Sequence, residues 1–417
     1  MNNNAEGVFK NRNFRNYFGM NLSSRSATSV LGLVIVFYVF SVTESSIDVA
    51  IVGVTETLSA VILSLPAGVW VDRYNRLKLL VLSNAVRVLS VTILVLFSEF
   101  YGFSLIAVIV LLFSWNGASE LYRSTSYSVL PDLVGNDRLA SANGIIRTGT
   151  SLFSAVSNAL GGTLILLVGA SIALSYGSIG FLIAFLFSFM LLVSSKGTVK
   201  HNSQKREDKK NGFSEIREGF AWLLSQRGLF WLTMSALPFN FFFTISYYFL
   251  VVYVVSGMRS GALIFGAVLA AYAVGYAIGS PLVGRTKWAL RYAGRVWIII
   301  YGAVKGVLFL FMGILPNPYL AIILCFVLGL STGFAGNVWL TSAQNIVPVK
   351  LRGRYFAVDG LFSFIGGPPA VAVGGVLVLL IGIIPVYELS GIIMLISALG
   401  FTLSKSLWRL DGTRVAE

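Results

Sequence analysis

The chain has 417 residues, 56% of them hydrophobic and only 12% charged, with a mean hydropathy of +0.81. A soluble domain is about a quarter charged, so this composition makes lipid the solvent for most of the surface. One cysteine (Cys325) and one histidine (His201) exclude a disulfide framework and leave no Cys/His metal site or catalytic pair, and no GxxxxGK[ST] loop exists to draw on ATP, so no metal and no cofactor are expected.

In chain order, a polar start gives way to an apolar run over 17–41 with no small-residue cleavage site, which reads as an uncleaved first span. Further runs of spanning length follow at 47–70, 79–98, 104–128, 141–168 and 171–194. A second set lies at 229–255, 260–284, 295–314, 318–342, 355–381 and 384–406. The pattern predicts an all-α membrane protein with twelve transmembrane helices in two pseudo-symmetric six-helix bundles. Their expected limits are 1–195 and 229–417, joined by a linker over 196–228. The linker begins KGTVKHNSQKREDKKN, a mobile loop with His201 in it. From Phe213 the apolar positions Phe213, Ile216, Phe220, Leu223 and Leu224 recur at helical spacing, which predicts an amphipathic helix on the membrane surface.

The net charge of +14 would suggest nucleic acid in a soluble chain, but its location argues otherwise. Of the 31 Lys and Arg residues, only Arg259 falls in the loops of one side, and Arg25, Arg87, Arg123, Arg147 and Lys305 fall within spans. The rest crowd one side, which marks it as cytoplasmic, with both termini there and the protein multi-pass in the cell membrane. No nucleic-acid partner is expected.

The halves also echo each other. GGTLILLVG (161–169) parallels GGVLVLLIG (374–382), and LPDLVGNDRLASANG (130–144) parallels VPVKLRGRYFAVDG (347–360) in its order of Pro, basic loop and helix. Duplicated halves with a shared midplane site are the plan of alternating-access transporters.

The loop after the second span reads Gly68-Val-Trp-Val-Asp72-Arg73-Tyr-Asn-Arg76-Leu-Lys78. It resembles the signature loop of the major facilitator superfamily, G-x-x-x-D-R/K-x-G-R-R/K. Gly68, Asp72, Arg73 and Arg76 match, Asn75 replaces the second glycine, and Leu77 stands where a base is usual. Gly68 is expected to let the second helix pack closely on a neighbour. Asp72 is expected to face a helix N-terminus, and the arginines to pair with acids on adjacent helices, with Glu120 a candidate for Arg76. In the family this loop locks the halves together in the outward-facing state. The stretches PDLVGNDRLASANG and Gln344 to Pro348 through Arg352-Gly353-Arg354 resemble the branch of macrolide-efflux and siderophore-export proteins. The fifth run reads Ser157-Asn158-Ala159-Leu160-Gly161-Gly162, where drug–proton antiporters carry Gly-Pro before Gly-Gly, and this departure weighs against antiport. The resemblance implies a monomer.

A charge at mid-bilayer costs about 2.5–3.5 kcal/mol on insertion scales, so each needs a reason. Asn21, Arg25, Thr28 and Gly32 form a polar stripe on the first helix, and Asn116, Glu120, Arg123 and Tyr127 one on the fourth. Such stripes turn from lipid toward a cavity or a partner helix. Glu120, Arg123 and Arg147 also fit simple structural pairing. Glu56, in the middle third of the second helix, is the first candidate for carrying a proton, with Glu120 and Asp359 as further candidates; Asp359 and Glu388 also fit positions near the interface. Arg25 and Arg87 suit an anionic group or a partner for Glu56. With Arg123, Asn240, Tyr247 (or Tyr248) and Tyr272 they make the candidate substrate cavity, and Tyr276 extends that set. Four arginines against two acids leave the first half cationic inside, so an amphipathic substrate with an acidic or polar group is expected.

The expected function is secondary active transport by alternating access: proton-coupled efflux of an amphipathic organic compound, drug- or siderophore-like. The alternatives are uptake of a small metabolite, proton-coupled or facilitated, and a non-transporting sensor or scaffold. An enzyme is not expected, because no clustered acidic or HExxH-type site exists.

Overall fold

The short polar turns between apolar runs supply side-chain caps for the first four spans and for the tenth. In a computed structural model that describes residues 9–195, 212–348 and 351–413, the side chain of Asn11 accepts from the N–H groups of Asn13 and Phe14 and opens α1 (Arg12–Thr43). Ser45 caps α2 (Ser46–Arg73), Asn75 caps α3 (Arg76–Tyr101) and Ser104 caps α4 (Leu105–Val134), each through its side-chain oxygen. Asn75, the position where the signature loop departs from glycine, therefore starts a helix, accepting the Lys78 N–H at 3.1 Å. α5 (Asn136–Val168) and α6 (Ala170–Ser194) complete the first unit, Met1–Lys205.

The second unit, Arg206–Glu417, begins with α7 (Gly212–Ser225) and α8 (Arg227–Tyr248). After Phe249, α8 is continued by a short turn and a π segment over Tyr253–Gly257. Then come α9 (Ala262–Leu282), α10 (Ala293–Ile314), α11 (Pro318–Ile346), α12 (Arg352–Ile381) and α13 (Ile383–Thr402). Within α10 the eight residues Trp297–Val304 are wound as a π-helix. Among the described residues no strand occurs. Eleven helices are long and apolar enough to cross a membrane, and the apolar stretch Gly367–Ile381 of α12 is the shorter twelfth. The run expected to be continuous over 229–255 is instead broken at Phe249 and underwound after it, over Tyr253–Gly257.

The two units use the same pairing of helices. In the first, the first span packs on the fifth and sixth, the second on the fourth, and the third on the fourth and sixth. In the second, α8 packs on α12 and α13, α9 on α11, and α10 on α11 and α13, which is the same scheme. The parallel GG…G sequences end alike too: Gly169 (φ 83°, ψ 163°) closes α5 and Gly382 (φ 82°, ψ 167°) closes α12. That region is essentially restricted to glycine, so duplication is written into the backbone as well as the sequence.

The α9–α11 contact has the closest backbone approach. A Cβ on Gly275 would lie 2.0 Å from the Phe326 carbonyl oxygen, and one on Gly329 2.0 Å from that of Tyr272. Small residues let spanning helices approach in this way, and the contact sets the position of Tyr272.

The linker helix α7 is docked on protein. Glu218 pairs with Arg354, the Phe220 and Trp222 rings meet Phe362 and Tyr355 on α12, and Leu223 is fully buried. The amphipathic face expected to lie on lipid is thus spent partly against α12. Phe213 and Ile216 have side chains outside the described set, and the loop expected to be mobile, with His201, lies outside the described residues.

Candidate functional site

The polar stripes of α1 and α4 converge. Asn21, Arg25, Thr28 and Gly32 line a cavity of about 440 Å³ in the first unit together with Asn116, Glu120, Arg123 and Tyr127. Glu56 enters from α2, Arg87 from α3, and Asn143 and Thr150 from α5. Trp115, Tyr122 and Ser24, not singled out by the sequence reading, complete the wall. Trp115 and Tyr122 were hidden because an aromatic in a spanning run looks like core; their places one residue before and two after members of the α4 stripe were the available signal.

Arg87 is the anchor of this cavity. It is 1% exposed, and its guanidinium donates to Ser24 Oγ at 2.9 Å, Thr28 Oγ1 at 3.1 Å and Asn84 Oδ1 at 3.2 Å. Its flat faces meet the rings of Phe181 and Tyr122, with centroids 3.9 and 4.7 Å away. Neutral oxygens and π-faces stabilise an arginine without cancelling its charge. Among the described residues Arg87 has no carboxylate partner.

Three buried nitrogens of the lining have no hydrogen-bond partner: Arg87 Nε, Trp115 Nε1 and Asn116 Nδ2. All three are donors. The acids of the cavity are differently placed. Glu120 is tied to Arg123 one turn along α4, while Glu56 is half-buried with no ion pair among the described residues. Arg25 lines the cavity as a second cation, and Arg147 lies exposed on α5. A neighbouring hydroxyl network holds the wall in place: Tyr122 donates to Asn21 Oδ1 at 3.1 Å, and Asn21 Nδ2 to the Tyr17 carbonyl at 2.8 Å.

The signature loop differs from expectation at two points. Arg76 pairs with Asp132 at 3.0 Å and donates to the Ser128 carbonyl at 3.2 Å; Glu120, three turns away on α4, already holds Arg123. A Cβ at Gly68 would meet nothing within 4 Å among the described residues, so no close helix contact is found at that glycine among them. Arg73 is exposed at the end of α2, and the side chain of Asp72 lies outside the described set. In the fifth span, Ser157 bonds Ser26 of α1 at 2.6 Å, a hydroxyl clasp beside the place where Gly-Pro was missed.

In the second unit the candidates also gather. Tyr247 and Tyr272 have ring centroids 5.1 Å apart, both contact Phe243, and Asn240 accepts a hydrogen bond from Tyr301 at 2.7 Å. Asp359, 7% exposed, lies near the start of α12.

Fold and cavity together define a polytopic helical membrane protein built from two similar six-span units. The sequence matches the Major Facilitator Superfamily over residues 17–368, and the chain belongs to that family: it is a membrane transporter of small molecules, not an enzyme. Macrolide efflux protein A of Streptococcus pyogenes is 20% identical over 387 residues, covering 92% of this chain and 94% of that one. The uncharacterized MFS-type transporter YfmI of Bacillus subtilis is 26% identical over 297 residues, covering 66% and 67%. Among solved structures, a bacterial homologue of the iron transporter ferroportin in an inward-facing state superposes with a TM-score of 0.71 at 16% identity, covering 94% of this chain and 98% of that one. An auto-inhibited POT family peptide transporter gives 0.72 at 12%, covering 97% and 99%. At these identities the structural likeness concerns the fold.

Proposed function

We propose that the protein exports an amphipathic organic compound bearing an anionic or acceptor-rich group, by alternating access coupled to inward movement of protons. The observation that carries this reading is the cavity wall of the first unit: the three fully buried side-chain atoms of its lining without a hydrogen-bond partner are all donors, and its buried charge, Arg87, has no carboxylate partner among the described residues. Such a wall favours acceptors on a ligand, because a buried donor left unpaired costs about 1–3 kcal/mol. Trp115, Tyr122 and Tyr127 offer aromatic surface for the apolar part of the same ligand. Outward direction is supported by the likeness to a macrolide efflux protein. Glu56, the half-buried acid without an ion pair, is the proton carrier of this cavity, and Arg25 and Arg123 at its wall complete the contact set. Asp72, Arg73 and Arg76 keep the gating role that the family's signature loop implies. The crowding of basic residues in the loops of one side supports termini in the cytoplasm and a plasma-membrane location, and the family resemblance supports a monomer.

The test uses vesicles with an acidic lumen, the cytoplasmic face outward, and a pH-sensitive dye inside. Carboxyfluorescein, a macrolide and a lipophilic cation are added in turn. Lumenal alkalinisation with an anionic or acceptor-rich compound, absent in Glu56→Gln, is expected. Alkalinisation with the lipophilic cation alone would overturn the substrate class, and counterflow without any pH change would overturn the coupling.

A further inference from the structure

The second unit holds a buried cation that the reading above leaves without a role. Lys305, in α10, is 0% exposed, and its Nζ has no hydrogen-bond partner. It lies 3.3 Å from the centroid of the Tyr301 ring and 4.2 Å from that of Phe243. No carboxylate among the described residues is within ion-pair distance.

We propose that Lys305 is a second proton-binding site of the transporter, its amine accepting a proton between the Tyr301 and Phe243 rings and releasing it again during the cycle. This goes beyond the reading given for the first unit's cavity. The step is simple in its balance: the amine lone pair takes a proton from water and returns it to water, with no other bond made or broken.

Two opposed effects bring the charged and neutral forms close in free energy. Burial without an acid or a hydrogen-bond acceptor disfavours the ammonium, while two aromatic faces at contact distance favour it, and more strongly when desolvated. A lysine, unlike an arginine, responds to such a balance by changing its protonation. The titratable groups on the surrounding elements do not fix its charge. Tyr301 presents its ring and donates its hydroxyl proton to Asn240, and Tyr247 and Tyr272 lie behind Phe243. On α11 the buried titratable group is the Cys325 thiol. On α13, Tyr387 donates to the Ser246 carbonyl, and Glu388 packs beside Gly313, eight residues or about 12 Å further along α10. Asp359 belongs to α12, which packs on α8.

The winding of α10 supplies the means of exchange. The π segment Trp297–Val304 ends at the residue before Lys305. Such segments are uncommon, cluster at functional sites, and carry extra residues that a helix can pass along its length. Movement of the wide turn past Lys305 would rotate the amine out of its ring pair toward water.

The experiment needs no organic substrate, so its outcome does not depend on what the first unit's cavity carries. Full-length protein in liposomes on a solid-supported membrane is stepped from about pH 9 to about pH 5, spanning the range over which buried lysines titrate, and the transient displaced charge is recorded. Glu56→Gln is the background, which removes the other proposed carrier. The expected result is a displacement that persists in Glu56→Gln and falls by half or more when Lys305→Met or Lys305→Arg is added. Tyr301→Phe, which keeps the ring face, should retain it. Lys305→Arg keeps a cation between the rings but cannot release its proton, and it decides the matter where the Met variant fails to fold. Displacement unchanged in the Glu56→Gln/Lys305→Arg protein would overturn the proposal.

Discussion

Arg87 and Lys305 occupy matching places: each is near the middle of the third span of its six-helix unit, fully buried, against two aromatic rings and without a carboxylate partner among the described residues. Their surroundings differ in one respect. Three side-chain oxygens from α1 and α3 accept from Arg87, whereas no group among the described residues accepts from Lys305. The arginine is always protonated, and its fork is fixed by oxygens in two directions, which makes it a permanent electrostatic anchor. The lysine is held only by π-faces and is free to change its charge. Duplication gave both units a buried cation at one position, and chemistry at that position separates binding from proton exchange.

The largest expected effect breaks the first half of this comparison. Arg87→Met removes the donors that serve Ser24, Thr28 and Asn84, and binding of carboxyfluorescein, read by fluorescence polarisation, should weaken about a hundredfold or more. Arg87→Lys should recover only part, leaving a loss of about tenfold, because one ammonium cannot reach all three oxygens from the same geometry.

Next in size is a variant that separates the units. Gly329→Leu puts a side chain where a backbone carbonyl lies 2.0 Å from the Cβ position, and should destabilise the second unit by about 1–3 kcal/mol or more in thermal unfolding. Anion binding by the first unit should change little, since its cavity is lined by residues of that unit. Tyr301→Leu is a finer probe of the lysine. It removes a ring face with a contribution of about 2 kcal/mol, against about 1 kcal/mol for the Asn240 hydrogen bond lost in Tyr301→Phe. The pH-step displacement should therefore shrink in the leucine variant and survive in the phenylalanine variant. The smallest effect belongs to Glu120→Gln. Its partner Arg123 is more than half exposed, so the pair contributes about 0.2–1 kcal/mol at most, and transport rates should stay within about fivefold of the parent protein.

Spans were legible because bilayer thickness imposes a run length, and a polar stripe at helical period was legible because lipid forbids it outward. Asn21, Arg25, Thr28, Asn116, Glu120 and Arg123 reached one cavity for that reason. What was not legible depended on which helices meet. Asp132 rather than Glu120 receives Arg76, because the cap at Asn75 starts α3 beside the far end of α4. Phe243 and Tyr301 around Lys305 come from α8 and α10, and nothing in either run separates a ring that faces an amine from one that faces lipid. Gly68 fits a close-packing motif, yet a Cβ there would meet nothing within 4 Å among the described residues, while Gly275 and Gly329, unremarked in the sequence, hold α9 against α11. The π-helix in α10 leaves no mark in hydropathy either, because its residues are as apolar as those of an ordinary turn.

The central claim is that the first unit's cavity selects ligands through donors centred on Arg87. It is tested most directly by equilibrium binding of one amphipathic carboxylic acid and of its amine analogue, matched in size, to the wild-type protein and to Arg87→Met. The account predicts that the wild type prefers the acid about tenfold or more and that the preference disappears in Arg87→Met. Preference of the wild type for the amine, or a preference for the acid that survives the loss of Arg87, would contradict it.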